Sequence, residues 1–343
     1  MKIKHLLVFM AIILIFPGMV FAGGTKVGTA AASELMIPMG ARSVGIGNSN
    51  VANVNGVEAI YWNPAGLSVL DGGQAKFDYV SYFADMNISY LAAGIKAGNI
   101  GTFGMSLQVL SIGEIPVTTV SQPEGTGEII EPNYLTANVT YSRQMTDRIN
   151  FGVNAKLISE SIGEMYARAF AFDFGVQYRS DMGLDFGFVM RNLGTKLKFD
   201  GAPIEFDSEI PFSNPNATTR KTKLDMAAHE LPTALDLGLA YRYAIDEQNG
   251  LNITGIYSNN NYSLDMLQGG LEYNFRQFIF IRGGYNAPLF PDNYPGDEDY
   301  AYGLTFGAGL LVNVGGTDMF VDYAYRDMEW FGGQNFFSLG FAW

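Results

Sequence analysis

The sequence predicts an all-β membrane protein, an outer-membrane barrel of about fourteen antiparallel strands with a small N-terminal plug segment. Three observations predict it. The chain opens on a secretory-signal pattern, continues in segments of roughly ten residues that alternate apolar with polar, and ends on an amphipathic strand closing at an aromatic.

The signal pattern comes first. Lys2 and Lys4 precede an apolar run over 6–16, and Val20-Phe21-Ala22 offers small residues where a signal peptidase reads, so 1–22 is expected to be a cleaved signal peptide. The run is shorter than the roughly 20 residues that span a bilayer. Nothing later in the chain is long and apolar enough to cross as a helix, so any crossing falls to strands. The absence of cysteine excludes a disulfide scaffold, a thiol enzyme, a lipid-anchored cysteine and cysteine metal sites. A net charge of −13 argues against a nucleic-acid partner. With 48% hydrophobic and only 16% charged residues, the chain is not disordered.

Residues 23–74 break the strand pattern and are expected to form the plug, with some short helix, leaving 75–343 for the barrel. Fourteen alternating segments follow, near 75–82, 88–97, 100–110, 134–145, 149–160, 167–179, 184–193, 231–244, 250–258, 264–273, 278–285, 300–313, 317–326 and 334–343. The second and eleventh have the least distinct faces. Elsewhere the faces are plain: Leu235, Leu237, Leu239, Tyr241 and Tyr243 oppose Ala234, Asp236, Gly238, Ala240 and Arg242. Connections alternate as in bacterial barrels, short on one side and long on the other, with the longest insertions at 111–133 and 194–230. An even strand count places both termini in the periplasm.

Charges on the inward faces are Lys156, Asp173, Arg179, Asp185, Arg191, Asp236, Arg242, Glu272, Asp322 and Arg326. They would be costly against lipid. Pairing across strands and pinning of the plug is the favoured reading, ahead of a polar permeation path. The last strand presents Phe337, Leu339, Phe341 and Trp343 on one face, and resembles the C-terminal insertion signal of outer-membrane proteins.

The most distinctive sequence lies in the head: Gly40-Ala41-Arg42-Ser43-Val44-Gly45-Ile46-Gly47-Asn48, then Ala59-Ile60-Tyr61-Trp62-Asn63-Pro64-Ala65-Gly66-Leu67. Pro64 fixes its own φ and biases Asn63 away from helix, which favours a turn. This head resembles that of the PorV/PorQ family, itself similar to FadL-type long-chain fatty acid transporters. The resemblance is strongest over 28–110 and continues through Arg191-Asn192-Leu193-Gly194 and Leu231-Pro232-Thr233-Ala234 to the last strand. It implies that Trp62, Asn63, Pro64, Ala65 and Gly66 belong to a small domain inside the barrel. It also implies a role in type IX secretion, with external loops binding exported proteins or translocon components. The alternative is a FadL-like channel taking up hydrophobic small molecules past a movable plug.

Catalysis finds little support. The two histidines are His5, inside the signal, and His229, in a long loop, and no Gly-x-Ser-x-Gly elbow marks a lipase. Gly45 to Asn50 lacks the third glycine and the βαβ context of a phosphate loop. Asp292, Asp297, Glu298 and Asp299 match no calcium-loop spacing and read as a solvated loop. No cofactor or metal is expected. Apolar residues of the two long insertions, among them Ile112, Ile115, Val120, Leu197, Ile204, Phe206, Ile210 and Phe212, are candidates to cover the barrel mouth or to meet a partner.

Overall fold

The computed structural model describes residues 28–208, 220–289, 302–329 and 332–343. The signal segment 1–22, the acidic loop 292–299, Ile210 and Phe212 lie outside the described residues. Fourteen strands of the described residues close into one antiparallel barrel: β1 (Gly73–Ser81), β2 (Asn87–Lys96), β3 (Thr102–Ser111), β4 (Asn133–Gln144), β5 (Ile149–Ile162), β6 (Met165–Arg179), β7 (Leu184–Gly194), β8 (Ala234–Ala244), β9 (Asn249–Asn260), β10 (Asp265–Phe275), β11 (Ile279–Leu289), β12 (Tyr302–Val314), β13 (Thr317–Met328) and β14 (Gln334–Ala342). Closure is made by β1 on β14, in register from Gln74 opposite Ala342 to Ser81 opposite Asn335. No edge is left in the ring, as a bilayer requires.

Every expected strand is present, the two with indistinct faces included. Two boundaries move by three residues or more, and one of them is the end of the eleventh strand, expected at 285, which runs on to Leu289. The strand expected from 231 starts at Ala234, because Pro232 has no N–H to donate and Thr233 turns back to bond the Leu231 carbonyl. Outward positions are apolar: Phe170, Phe172 and Phe174 on β6, Leu304 and Phe306 on β12, Phe337, Leu339 and Phe341 on β14 are all exposed on the wall. Leu237 and Leu239 share that outward side of β8, while Gly238 is buried against Val51 and Ala52.

The lumen is occupied by residues 28–72, which carry no strand and five short helical turns. Their close fit has a simple cause. Four cross-strand glycine pairs face inward, Gly94 with Gly104, Gly152 with Gly175, Gly187 with Gly238, and Gly270 with Gly284. Each removes two side chains where the inner segment's backbone or a bulky residue arrives. A Cβ on Gly270 would lie 2.1 Å from the Ile46 carbonyl oxygen, and one on Gly152 would lie 2.2 Å from the Pro64 carbonyl carbon. Glycine here serves close approach of two backbones.

The barrel's ends and the first described residues lie on opposite sides. The barrel's own ends, Gly73 and Trp343, do meet on the short-turn side, where each N–H bonds the other's carbonyl. The first described residues, however, lie at the opposite end: Gly28 donates to the Tyr262 carbonyl and Ala31 to that of Glu230, both in connections on the side of the two long insertions. The inner segment therefore runs the height of the barrel before β1 starts. Counting strands fixes the ends of the barrel, not of a segment threaded through it.

Candidate functional site

The Asn63-Pro64 turn packs inside the barrel on Gly152 of β5 and Gly175 of β6, toward the short-turn end of those strands. Asn63 Oδ1 accepts from the Ala65 N–H at 3.1 Å, with Pro64 in the first position of the following turn Pro64–Val69. Its Nδ2 donates to the carbonyls of Val51 at 2.9 Å and Val176 at 3.2 Å, tying the head to itself and to β6. Trp62 donates its indole N–H to the Met39 carbonyl at 2.8 Å. Ala65 and Gly66 are fully packed, the latter so close to the Val54 carbonyl that a side chain has no room. Gln177 and Arg179 of β6 reach the Val54 carbonyl at 3.1 and 2.9 Å.

Of the ten charges singled out from the strand pattern, Asp173, Asp185, Asp236, Glu272, Asp322 and Arg326 are buried, Lys156, Arg179 and Arg191 half-buried, and Arg242 exposed at the short-turn end. Asp173 binds Lys156 at 2.7 Å and Asp236 binds Arg191 at 2.7 Å. Asp185 receives both Nε and Nη2 of Arg242. Arg326 bonds Gln334 and stacks over Tyr302, 4.2 Å from its ring centre. Glu272 lies between two guanidinium groups, Arg42 at 2.9 Å and Arg282 at 2.6 Å, and Arg282 reaches on to Asp322 at 2.6 Å. Next to this chain Lys76 holds Asp78 at 3.2 Å, while Ser43 donates its hydroxyl and its N–H to Glu58. Burial works against the charge of Glu58, but Lys76 and Arg42 outweigh it and keep its carboxyl below the usual range. Burial, more than any neighbouring charge, drives the Tyr61 hydroxyl up to about 12, keeping it a neutral donor to the Ile37 carbonyl at 2.7 Å.

Sequence reasoning missed Arg42, Glu58, Lys76, Asp78 and Arg282. Lys76 and Asp78 were within reach, since they alternate with the outward Phe77 and Tyr79 of β1. Arg42 and Glu58 sit on short turns without periodicity, and no local signal announces their partners.

Two cavities flank the filled middle. At the long-loop end lies one of about 710 Å³. Its rim is apolar and aromatic, with Leu35, Met36, Tyr82, Phe83, Met86 and Leu264 among the residues lining it, and its polar lining includes Asn48, Arg191, Asn192, Ser258 and Gln268. Arg191 Nε and Asn48 Oδ1 are buried there without a hydrogen-bond partner. Arg191 is aimed by its neighbour. Asn192 takes positive φ in a bulge of β7 against β6, donates its N–H to Asp173 and its side-chain amide to the Pro232 carbonyl, and accepts from Lys156. At the short-turn end a wide polar funnel of about 990 Å³ is lined by Arg42, Asp147, Arg179, Asp185, Arg242 and Glu272, among others. No residue lines both. Among the described residues no cluster of three or more His, Asp or Glu could hold a metal ion.

The apolar outer belt, the edgeless ring of strands and the charged interior together define an outer-membrane β-barrel filled by its own N-terminal segment. The chain belongs to the PorV family, whose model, "Type IX secretion system protein PorV", matches residues 22–262. No curated protein matches it. Among solved structures it is similar to the Pseudomonas putida toluene transporter TodX, at a TM-score of 0.55 and 15% identity over 88% of this chain and 96% of that one. A Pseudomonas aeruginosa FadL homologue gives 0.52 and 10%, over 90% and 98%. The Ralstonia pickettii toluene transporter TbuX gives 0.51 and 12%, over 89% and 97%. At such identities these neighbours share the fold.

Proposed function

We propose that the protein assists type IX secretion from the outer membrane, its loop-end cavity and long loops receiving part of an exported protein or of a translocon component. The observation that carries this reading is the character of the cavity. An apolar rim surrounds buried polar groups that lack partners, Arg191 Nε and Asn48 Oδ1, and these ask for a ligand with hydrogen-bonding groups of its own, as a polypeptide has. In this reading the long loops face outward, the short turns and the barrel's two ends face the periplasm, and 23–74 is a plug that keeps the lumen shut. The signal 1–22 is removed on export, and Phe337, Leu339, Phe341 and Trp343 form the signal read during insertion.

Affinity purification from native outer membranes, with mass spectrometry of proteins and lipids, tests the proposal. Secretion components or exported cargo should come with the wild-type barrel, and Met36→Arg at the rim should diminish them without loss of the barrel. A second reading, uptake of a hydrophobic small molecule, draws on the aliphatic and aromatic rim itself. A lone barrel carrying a bound hydrophobe would overturn the first reading in favour of the second.

A further inference from the structure

Among the described residues the buried lumen-facing carboxylates follow one rule, with two exceptions, Glu34 and Glu160. Asp78, Asp173, Asp185, Asp236, Glu272 and Asp322 each have a lysine or arginine nitrogen within 3.2 Å. Glu34 has none. It stands on the turn Ser33–Met36 at the long-loop end of the inner segment, 2% exposed, and neither of its carboxyl oxygens has a hydrogen-bond partner. The charged group acting on it is a second carboxyl, Glu160 of β5, itself 5% exposed and bonded by the Ala32 N–H.

Among the described residues the surroundings supply no free cation. Tyr134 of β4 stands in register with Glu160, and Gln108 of β3 donates its amide to the Glu34 backbone carbonyl. Lys156, four residues along β5 from Glu160, is committed to Asp173 and Asn192. On the covering loop His229 is exposed, and Lys196 pairs with Glu230. Ala32, Leu35, Ile158, Ala167, Ala169, Leu197 and Leu231 form the apolar packing around the turn. Two carboxyl groups in an apolar pocket cannot both ionise cheaply.

We propose that Glu34, with Glu160 beside it, is a proton-operated latch: a proton on Glu34 lets the Ser33–Met36 turn stay docked among the apolar residues of β5 and β6, and its release to solvent frees that turn. The consequence reaches the site, because Ser33, Leu35, Met36, Ile37 and Pro38 make one wall of the loop-end cavity. Access to the cavity is thereby coupled to external pH, whichever ligand it takes. Burial, and after it the Glu160 carboxyl, pushes the Glu34 carboxyl from 4.5 to about 8. The sign follows from linkage. An undocked, hydrated Glu34 loses its proton near its ordinary pKa, while the docked one keeps it to about 8. Docking is therefore strongest below the ordinary value, weakens as pH rises between the two, and stays weak above the higher one.

The chain has no cysteine, so a single introduced thiol reports on the latch. Ala169→Cys places it on β6 under the turn, where the native residue is 1% exposed, and Val120→Cys on a fully exposed loop tip corrects for the thiol's own titration. The ratio of their maleimide labelling rates in the detergent-solubilised full-length barrel should rise roughly tenfold between about pH 6 and about pH 9.5. Adding Glu34→Gln, which keeps the shape and removes the ionisation, should leave the ratio low and flat. A ratio that does not change with pH in the parent overturns the latch. So does an equal rise in the Glu34→Gln background, which would assign the titration to another group.

Discussion

The inner segment meets two unlike walls. On one side Val57, Ile60, Trp62, Leu67 and Leu70 pack in a continuous apolar cluster with Val80, Ile88, Tyr90 and Ala92 of β1 and β2. On the other, Arg42 enters an ion chain with Glu272, Arg282 and Asp322 on β10, β11 and β13, and the Ile46-Gly47 backbone lies flush on Gly270 and Gly284. The first wall holds by area removed from water, which is non-directional and tolerates small shifts. The second holds by charge and backbone contact, which are satisfied in one position only. Adhesion and address are thus divided between the two sides of the lumen.

The largest effect expected is on the address wall. Glu272→Leu leaves the half-buried Arg42 without its carboxylate and the buried Arg282 with Asp322 alone, and should cost about 3 to 5 kcal/mol, read as denaturant unfolding of the refolded barrel. Replacing Arg42, Glu272, Arg282 and Asp322 together by apolar residues of matching volume should cost less than that single change, since no charge is then left unpaired. If the fourfold variant is the worse of the two, the ion chain contributes net stability and the division drawn above is wrong. On the adhesion wall, Leu67→Ala removes a fully buried side chain and should cost about 2 to 5 kcal/mol by lost transfer energy and the cavity left behind, with no sensitivity to salt.

How far the sequence discloses this arrangement depends on which constraint acts. Lipid forbids charge on the outer face of a strand, so a period of two separates inside from outside, and Asp173, Asp236 or Glu272 could be assigned inward from their own segments. β2 and β11 were hard to read for a physical reason. β11 carries Gly283 on its outer face and Gly284 on its inner one, and Arg282 is masked between Ile281 and two glycines. The inner segment obeys no period, because its turns are short and its partners distant: Arg42 meets Glu272 across 230 residues of sequence. Its glycine landing sites were visible as inward glycines, but what lands on them was not. Glu34 gave no signal at all, since an acidic residue before Leu35 and Met36 reads as a solvated turn.

The glycine contacts separate the walls more finely. A Cβ at Gly284 would lie 2.1 Å from the Gly47 nitrogen, whereas one at Gly283 meets nothing nearer than the Thr305 carbonyl at 4.0 Å. Gly284→Ala should cost about 1 to 3 kcal/mol by forcing the two backbones apart, with Gly283→Ala near neutral as its control. Equal effects would mean that the cost is strand propensity and not contact.

The smallest effect tests whether the adhesion wall is as undirected as its composition suggests. Tyr61 packs at the edge of the apolar cluster, its ring 5.2 Å from that of Trp62, while its hydroxyl donates to the Ile37 carbonyl. Tyr61→Phe keeps the ring and deletes the donor, so it should cost about 1 kcal/mol, the net worth of one neutral hydrogen bond. That is well short of Leu67→Ala if area dominates this wall. Should Tyr61→Phe prove the costlier, the Ile37 end of the segment is positioned by that bond, and the apolar side of the lumen carries an address of its own.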